Sequence, residues 1–234
     1  MSASKPRRRW LSSSPRSSPA CWASACSASG PRAAWGADDG GRTVPHLKFD
    51  PTKLERLNDR GRFETMKPDV IVDALDVSAG ATIVDIGAGT GLFAEEFARR
   101  LGATVYAVDT VTEMIEWMRA NRGTVEGGLL VPLLSSETEI PLEDGVADAV
   151  TMLNLHHELA QPAATYAEAF RLLKPGGRIV VVDWAPVETP KGPPLHVRAT
   201  GAELVGYLAA AGFGRAVEHD GLPWHSLVTA ERPQ

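Results

Sequence analysis

The most informative absences are those of cysteine and of long apolar runs. Cys21 and Cys26 are the only cysteines, so residues 46–234 contain neither a disulfide nor a thiol nucleophile. These residues also lack a Cys/His set with the spacing of a zinc site. No apolar run approaches the roughly 20 residues that a transmembrane helix needs. The sequence therefore favours a domain that is stabilised by an apolar core, for which its length is sufficient.

Positive charge is scarce outside the N-terminal segment. Residues 1–45 contain seven Lys/Arg and two Asp/Glu, whereas residues 46–234 contain 17 Lys/Arg and 27 Asp/Glu. Contacts to a nucleic-acid backbone depend on Lys and Arg, so the acidic part of the chain argues against a nucleic-acid partner. A small anionic substrate remains compatible with this charge.

Residues 1–45 differ from the rest in composition. They are rich in Ser, Ala, Pro, Gly and Arg and show neither helical nor strand periodicity, which predicts a disordered tail before a domain of residues 46–234. The run from Arg7 to Leu11 resembles a twin-arginine export signal, but Arg16 and two prolines interrupt the apolar centre that such a signal needs. A weak export signal, a disordered tail and a start codon placed too early all stay open.

From residue 46 the chain alternates strand-like and helix-like segments. This alternation predicts an α/β fold with a mostly parallel sheet and helices on both faces. Capping-box spacing at Thr110–Glu113 and Thr200–Glu203 predicts two of the helix starts. The expected strands are 81–86, 104–108, 129–134, 147–153, 179–182, 214–219 and 225–230. The expected helices are 51–61, 68–75, 92–101, 110–120, 162–173 and 200–212.

The strongest candidate site is the glycine-rich segment from Val84 to Gly91, between the first strand and the first long helix. Glycines there permit a tight turn and close approach to a ligand, and the helix start offers free N–H groups. Asp109 ends the second strand, 18 residues after Gly91, where a carboxylate can accept two hydrogen bonds from ribose hydroxyls. The two features predict a site for a nucleoside-containing cofactor, and NAD, FAD and S-adenosylmethionine (SAM) all use this geometry.

Several segments resemble class I SAM-dependent methyltransferases. Val84–Gly91 resembles the first motif of that family, and Leu172–Val180 resembles its loop and fifth strand. Ile140–Leu142 together with Asp148–Val150 resembles the entry to its fourth strand. The resemblance covers about residues 65–232, with the motifs in family-like order and spacing. It implies a Rossmann-like, seven-stranded fold, SAM as the cofactor and a small-molecule methyl acceptor.

The same resemblance implies a set of cofactor contacts. The glycine loop is expected to pass under the methionine part of SAM, Asp85 to lie near its amino group, and Asp109 to bind the ribose. Met114 is expected to pack against the adenine. Ser136 stands where many relatives have an Asp that binds the adenine amino group. Ser136 or Glu137 could accept this hydrogen bond, or both could belong to a solvated loop. The full set of predicted cofactor-binding residues is Asp85, Gly87, Ala88, Gly89, Gly91, Asp109, Thr110, Met114, Ser136, Glu137 and Asn154.

The acceptor side is expected just after the fourth strand, at Asn154–Glu158, because ligands bind at the carboxyl ends of parallel strands. His156 or His157 is a candidate general base, since the unperturbed imidazole pKa lies near neutrality. The alternative is that one histidine caps the strand end while the other packs under the next helix. Neighbouring residues are too close in sequence for a standard metal ligand set, so no metal is predicted.

Three functions are compatible with these features. Methyl transfer from SAM to a metabolite is the first. A nicotinamide-dependent oxidoreductase is the second, but Tyr166 and Tyr207 lack the sequence setting of its usual catalytic sets. A non-catalytic SAM-binding protein is the third. A cytoplasmic location is expected because SAM is made in the cytosol, while the sequence favours no particular acceptor atom or oligomeric state.

Overall fold

The computed structural model describes residues 54–125 and 127–234. The predicted tail of residues 1–45, and residues 51–53 of the first predicted helix, lie outside the described residues. The helices are α1 (Leu54–Leu57), α2 (Phe63–Met66), α3 (Pro68–Leu75), α4 (Leu92–Leu101), α5 (Thr112–Asn121), α6 (Pro162–Leu172) and α7 (Gly201–Ala210). The strands are β1 (Thr82–Ile86), β2 (Thr104–Asp109), β3 (Thr124–Val125), β4 (Gly128–Leu134), β5 (Ala147–Leu153), β6 (Leu173–Trp184), β7 (Gly214–His219) and β8 (His225–Glu231).

Within the described residues the strands form one eight-stranded sheet in the order β3-β4-β2-β1-β5-β6-β8-β7. Strands β4, β2, β1, β5 and β6 are parallel to one another, whereas β3, β7 and β8 pair in antiparallel fashion. The mostly parallel sheet and its seven predicted strands are confirmed. Strand β3, with two residues, is an eighth strand that the sequence did not predict, because two residues are too few to show a period.

Helices cover both faces of the sheet, as predicted. Side chains alternate along β1, so Ile83 packs in one buried cluster and Val84 in the other. Helices α3, α4 and α5 cover the first cluster, while α6 and α7 cover the second. Burying a side chain such as Phe97 or Leu204 completely contributes about 1.5–3 kcal/mol, so both faces stabilise the sheet.

Only one of the two predicted capping boxes is present. The Thr200 hydroxyl accepts the Glu203 N–H at 3.2 Å, and the Glu203 carboxylate accepts the Thr200 N–H at 2.7 Å. The prediction at Thr110 is wrong, because α5 starts at Thr112 and its N-cap, Val111, makes no side-chain capping bond. Asp109 Oδ1 instead accepts the Val111 N–H at 3.0 Å, which keeps the strand exit extended for two more residues.

The predicted helix at 51–61 is not continuous in its described part. Helix α1 ends at Leu57, and a 3₁₀ helix begins at Arg60. Asp59 has extended backbone between them and its carboxylate accepts the Gly61 N–H at 2.8 Å. A capping aspartate at this position starts a new helix rather than continuing the old one.

The sheet order creates a crevice between β1 and β5. The chain runs outward from β1 to β2 and β4, then returns to β5 and continues outward on the other side to β6. Connections after β1 and β5 therefore leave in opposite directions, which opens a space at the carboxyl ends of these strands. None of the helices within 54–125 and 127–234 combines the length and the apolar character that crossing a membrane requires.

Candidate functional site

A cavity of about 820 Å³ opens at this crevice. Residues 54–66, called here the lid segment, and the loop of residues 185–194 both contribute to its lining. The predicted site residues that line the cavity are Asp85, Gly87, Ala88, Gly89, Asp109, Thr110, Ser136, Glu137, Asn154 and His157. Gly91, Met114 and His156 do not line it.

The glycine loop is shaped by the neighbouring strand. The N–H groups of Gly87 and Ala88 both donate to the carbonyl of Val108 at 2.9 Å. Gly87 has φ +73°, and a Cβ on it would lie 2.6 Å from Leu155 Cδ1. The loop therefore needs glycine here, both for its backbone conformation and for space beside the segment that follows β5.

Gly91 and Met114 occupy packing positions. Gly91 is the N-cap residue of α4, and a Cβ on it would lie 2.8 Å from Met118 Sδ in α5. The side chain of Met114 is fully buried. Neither residue has a surface toward the cavity, so a contact between Met114 and an adenine would require neighbouring side chains to move.

Asp109 is oriented by backbone groups on both of its oxygens. Oδ2 accepts the Gly89 N–H at 2.8 Å, and Oδ1 accepts the Val111 N–H at 3.0 Å. Burial raises the pKa of Asp109, while backbone hydrogen bonds act in the opposite direction. Each carboxylate oxygen keeps a second acceptor position, so the group can still receive a pair of hydroxyls.

Asp85 is a buried carboxyl with little to balance its charge. It is 2% exposed, and the Thr151 hydroxyl donates to Oδ1 at 2.6 Å. Burial raises the pKa of Asp85 to about 7, against the effects of Thr151 and of the nearby Arg62. A cation that entered the cavity would favour the ionised carboxylate.

Arg62 is a cavity residue that the sequence did not indicate. Its guanidinium donates to the Leu57 carbonyl at 2.9 Å and lies 5.2 Å from the centre of the Phe93 ring. Burial lowers the pKa of Arg62 to about 10, although Asp85 acts to raise it. Among the described residues no carboxylate forms an ion pair with it, so this cation faces the cavity without a matching anion.

Asn154 holds an unusual backbone conformation at the end of β5. Its φ is +55°, its Nδ2 donates to Met66 Sδ at 3.3 Å, and its Oδ1 is buried without a hydrogen-bond partner in the part of the chain that the structure describes. Leaving a buried acceptor unsatisfied costs about 1–3 kcal/mol. A ligand donor at this point would remove that cost.

Ser136 and Glu137 reach the cavity but already serve the local fold. The Glu139 N–H donates to Ser136 Oγ at 2.9 Å, and the Gln161 N–H donates to Glu137 Oε1 at 2.6 Å. Gln161 is the N-cap residue of α6, so Glu137 helps to position the start of that helix. Both residues line the cavity, and their hydrogen bonds within the protein distinguish neither of them as the partner of an adenine amino group.

His157 is paired with a buried carboxylate at the other side of the cavity. Its Nδ1 lies 2.8 Å from Oδ1 of Asp183, which is fully buried at the end of β6. A carboxylate can only accept, so in the neutral imidazole Nδ1 carries the hydrogen and the lone pair is on Nε2, which lies 3.7 Å from Oε1 of Glu158. Burial lowers the pKa of His157, but the hydrogen bond and charge of Asp183 outweigh burial and leave the pKa raised. The pair is suited to removing a proton from a bound molecule.

His156 points into the protein instead. Its Nδ1 lies 3.2 Å from the Tyr166 hydroxyl, and its ring centre lies 4.9 Å from that of Tyr207. Burial lowers the pKa of His156. His156 is therefore the histidine that packs under the next helix, and the alternative to a general base holds for this residue. Across the described ranges, no group of three or more His, Cys, Asp and Glu side chains is arranged to hold a metal ion.

Comparison with known proteins agrees with the geometry. Residues 84–181 match a family described as a methyltransferase domain. An uncharacterized methyltransferase of Mycobacterium tuberculosis is 31% identical over 176 residues, which cover 74% of this chain and 63% of that protein. Ubiquinone biosynthesis O-methyltransferase of Xanthomonas oryzae pv. oryzae is 34% identical over 147 residues, covering 62% of this chain and 53% of that protein. This chain thus spans less than two thirds of the length of these relatives.

A solved structure gives a fuller match. The crystal structure of a SAM-dependent methyltransferase from Aquifex aeolicus superposes with a TM-score of 0.72 at 30% sequence identity, over 79% of this chain and 100% of that chain. The glycine loop and the acid at the end of β2 lie within residues 84–181, which match the methyltransferase domain. The chain therefore belongs to the class I SAM-dependent methyltransferase family.

Proposed function

We propose that this protein transfers the methyl group of SAM to a small-molecule acceptor. The observation that carries the proposal is that one cavity combines two sets of groups. The glycine loop, Asp85 and Asp109 lie on one side, and the His157–Asp183 pair lies on the other. A cofactor site alone would explain the first set but would give no reason for the second.

The first set fits SAM group by group. Asp85 and the unsatisfied Oδ1 of Asn154 would accept hydrogen bonds from the ammonium of the methionine part. Arg62 would bind its carboxylate, which supplies the anion that this guanidinium lacks among the described residues. Asp109 would bind the ribose hydroxyls. This assignment of SAM groups is supported by the charges of Asp85 and Arg62, which lack a full set of partners in the described residues.

The reaction asks the protein mainly for orientation and for proton removal. Bound SAM supplies a methyl group on a sulfonium, and this group passes to the acceptor atom while the electron pair of the carbon–sulfur bond stays on sulfur. The lid segment and the loop of residues 185–194 exclude water from the cavity. Nε2 of His157 takes the acceptor proton, and Asp183 stabilises the imidazolium that results.

The sheet order separates donor from acceptor. Asp109 ends β2, Asp85 is the last residue but one of β1, and Asn154 follows β5. These strands are neighbours in that order, and the next strand, β6, carries Asp183 as its last residue but one. The acceptor would therefore bind on the β5–β6 side, beneath the loop that follows β6. A cavity of about 820 Å³ that has to hold both cofactor and acceptor favours a metabolite over a macromolecular acceptor.

The test compares His157→Ala with His156→Ala as the matched control. S-adenosylhomocysteine formation is measured with labelled SAM and a small-molecule extract of the source organism, and S-adenosylhomocysteine affinity is measured by calorimetry. We expect His157→Ala to lower turnover by about 10²–10⁴-fold with unchanged affinity, as for loss of a general base. His156→Ala should lose stability and keep its turnover per folded molecule. Equal turnover in wild type and His157→Ala would exclude the base role, and binding without any turnover would support a non-catalytic SAM-binding protein.

We also propose that residues 46–234 form the enzymatic domain and that it acts in the cytoplasm, where SAM is made. The acidic charge of this part of the chain supports a metabolite acceptor rather than a nucleic acid. N-terminal sequencing of the native protein tests the location. An intact Met1 agrees with it, whereas a new N-terminus after residue 20 would indicate export.

A further inference from the structure

We infer that the acceptor is a planar aromatic compound with a phenolic hydroxyl, and that Trp184 is the residue that selects it. The aromatic ring packs against the Trp184 indole and the hydroxyl faces His157. The phenolic hydroxyl rests on the proposed function, since it assumes methyl transfer at this site. The aromatic preference rests on the walls of the cavity and can be tested separately.

The Trp184 indole is held by the loop that covers the cavity. The guanidinium carbon of Arg198 lies 5.2 Å from the centre of the indole, in a cation–π contact. The same guanidinium donates to groups spread along the loop, so it fixes the loop and the ring together. Its acceptors are Pro193 O at 2.9 Å, Ala185 O at 3.3 Å, Val187 O at 2.7 Å and Thr189 Oγ1 at 2.8 Å.

The loop backbone also lies directly against the indole. Gly192 has φ +124°, and a Cβ on it would lie 2.9 Å from Cε3 and Cζ3 of Trp184. Two further rings pack against Trp184: Trp224 is stacked at 6.3 Å, and His225 lies at 4.5 Å. Burial lowers the pKa of His225 to about 4, so its ring is neutral at ordinary pH. Trp184 is therefore a preformed wall rather than a side chain free to turn away.

Asp183 couples this wall to the base. Its Oδ1 accepts the backbone N–H of Trp184 at 2.7 Å and lies 2.8 Å from Nδ1 of His157. The carboxylate thus fixes the imidazole and the backbone that carries the indole, while the Arg198 and Gly192 contacts fix the indole ring itself. Both line the cavity, so a molecule packed on the indole would meet Nε2 of His157 in a reproducible position.

The remaining lining on this side favours an uncharged ring. Leu159, Pro193 and Pro194 also line the cavity and present apolar surface. Of the charged lining residues, Glu158 has its Oε1 3.7 Å from Nε2 of His157, which disfavours an acceptor that enters as an anion. Lys191 Nζ lies instead 5.9 Å from the centre of the Trp224 ring. Apolar walls with a few placed polar groups are typical of sites for small, mostly apolar ligands.

The acidity of the acceptor group favours a phenolic hydroxyl over an aliphatic alcohol. A phenol has a pKa of about 10, within a few units of the imidazole value of about 6.5, whereas an aliphatic alcohol is a far weaker acid. An aliphatic amine would enter as a cation, and burying it against apolar walls is costly. The phenol proton passes to Nε2 of His157, the phenol oxygen bonds to the methyl carbon, and the electron pair of the broken bond stays on the sulfur.

The experiment uses the full chain and three naphthalene-derived probes of similar size. 1-Naphthol is planar with a phenolic hydroxyl, decahydro-1-naphthol has the hydroxyl without the flat ring, and 1-naphthylamine has the ring with a nitrogen acceptor. Binding to the protein is measured by calorimetry with and without S-adenosylhomocysteine, and methylation is measured with labelled SAM. We expect 1-naphthol to bind at least tenfold more tightly than decahydro-1-naphthol and to be the probe that is methylated.

Variants assign the preference to Trp184. Trp184→Leu keeps apolar bulk without the flat ring and should abolish the tenfold preference, while Trp184→Phe should keep most of it. Val187→Ala, an exposed change in the same loop outside the cavity lining, is the control. S-adenosylhomocysteine affinity should stay within twofold in all three. Should Trp184→Leu fail to fold, the Phe variant and the probe series still decide the aromatic preference.

Each contrary outcome has a distinct meaning. Absence of 1-naphthol binding, equal binding of the decahydro probe, or an unchanged preference in Trp184→Leu would overturn the aromatic site. Methylation of 1-naphthylamine in place of 1-naphthol would overturn the phenolic acceptor. Failure of S-adenosylhomocysteine to bind would instead contradict the proposed function. In that case, binding of 1-naphthol to the protein without S-adenosylhomocysteine would still test the aromatic site.

Discussion

The charges around the cavity are the features most sensitive to single substitutions. Asp85 and Arg62 have opposite signs, both are withdrawn from water, and the pKa of each is shifted toward its neutral form. Such pKa shifts are concentrated at functional sites. A ligand with the opposite charges can form ion pairs with these groups and so compensate for their burial. The zwitterionic end of SAM has the two charges that these residues need.

The pH dependence of cofactor binding follows from Asp85. In the proposed arrangement the ligand ammonium pairs with the ionised carboxylate of Asp85, so protonation below a pKa of about 7 competes with binding and affinity falls as the pH falls. Calorimetry should show S-adenosylhomocysteine affinity about tenfold lower at pH 6 than at pH 8, and Asp85→Asn should flatten this dependence at a lower affinity. An equally steep profile in Asp85→Asn would assign the titration to another group.

Asp109 offers a test at the ribose end. Asp109→Ala removes hydrogen bonds to a charged acceptor, so S-adenosylhomocysteine binding should weaken by about 1.5–3 kcal/mol. Asp73→Ala, an exposed change on α3, is the matched control and should leave affinity unchanged. Unaltered affinity in Asp109→Ala, measured by the same calorimetry, would contradict the ribose assignment.

Among the helices, α7 and α5 differ in how they start. Loss of the Thr200 cap should lower the free energy of unfolding by about 1 kcal/mol, because Thr200→Ala removes the acceptor for the Glu203 N–H. Thr110→Ala has the same sequence signature but no capping bond, so it should leave stability nearly unchanged. Urea unfolding of the two variants without ligand measures both effects. A similar loss in both would mean that the two helices start alike.

The lid segment is held on the glycine loop by Arg122. Its Nε donates to Thr90 O at 2.9 Å, and its two Nη atoms contact Glu95 and Asn58. Asn58→Ala removes the link to the lid segment, so hydrogen exchange of residues 54–66 should speed up while α4 stays protected. Mass spectrometry of the exchanged protein measures this. Faster exchange in α4 as well would show that the variant loosens the whole face of the sheet.

For the whole molecule, the cofactor preference should be visible in thermal unfolding. A ligand at 100 times its dissociation constant stabilises the folded state by about 2.7 kcal/mol. At roughly 2–4 °C per kcal/mol, S-adenosylhomocysteine should raise Tm by about 5–11 °C, and NAD should leave it unchanged. A rise with NAD alone would favour the oxidoreductase alternative.

Much of the fold could be read from local patterns. Strands β1, β2, β4, β5, β7 and β8 were placed to within one residue, because apolar runs between turn signals do not depend on distant parts of the chain. The glycine loop and Asp109 were also found locally, since a turn between a strand and a helix has its own residue requirements. The two-residue β3 and the start of α5 were missed, because both depend on hydrogen bonds to neighbouring elements.

The sequence by itself thus determined the class of fold, the position of the glycine loop and the acid that ends β2. The tertiary structure alone decided which histidine faces the cavity, since His156 and His157 are adjacent and their side chains diverge toward α7 and β6. It also brought Asp183, Arg62 and Trp184 into the site from segments far apart in the chain. The reason is that local periodicity determines only which face of a helix or strand a side chain lies on. Which side chains meet at the crevice depends on the order of the strands in the sheet, which local patterns do not determine.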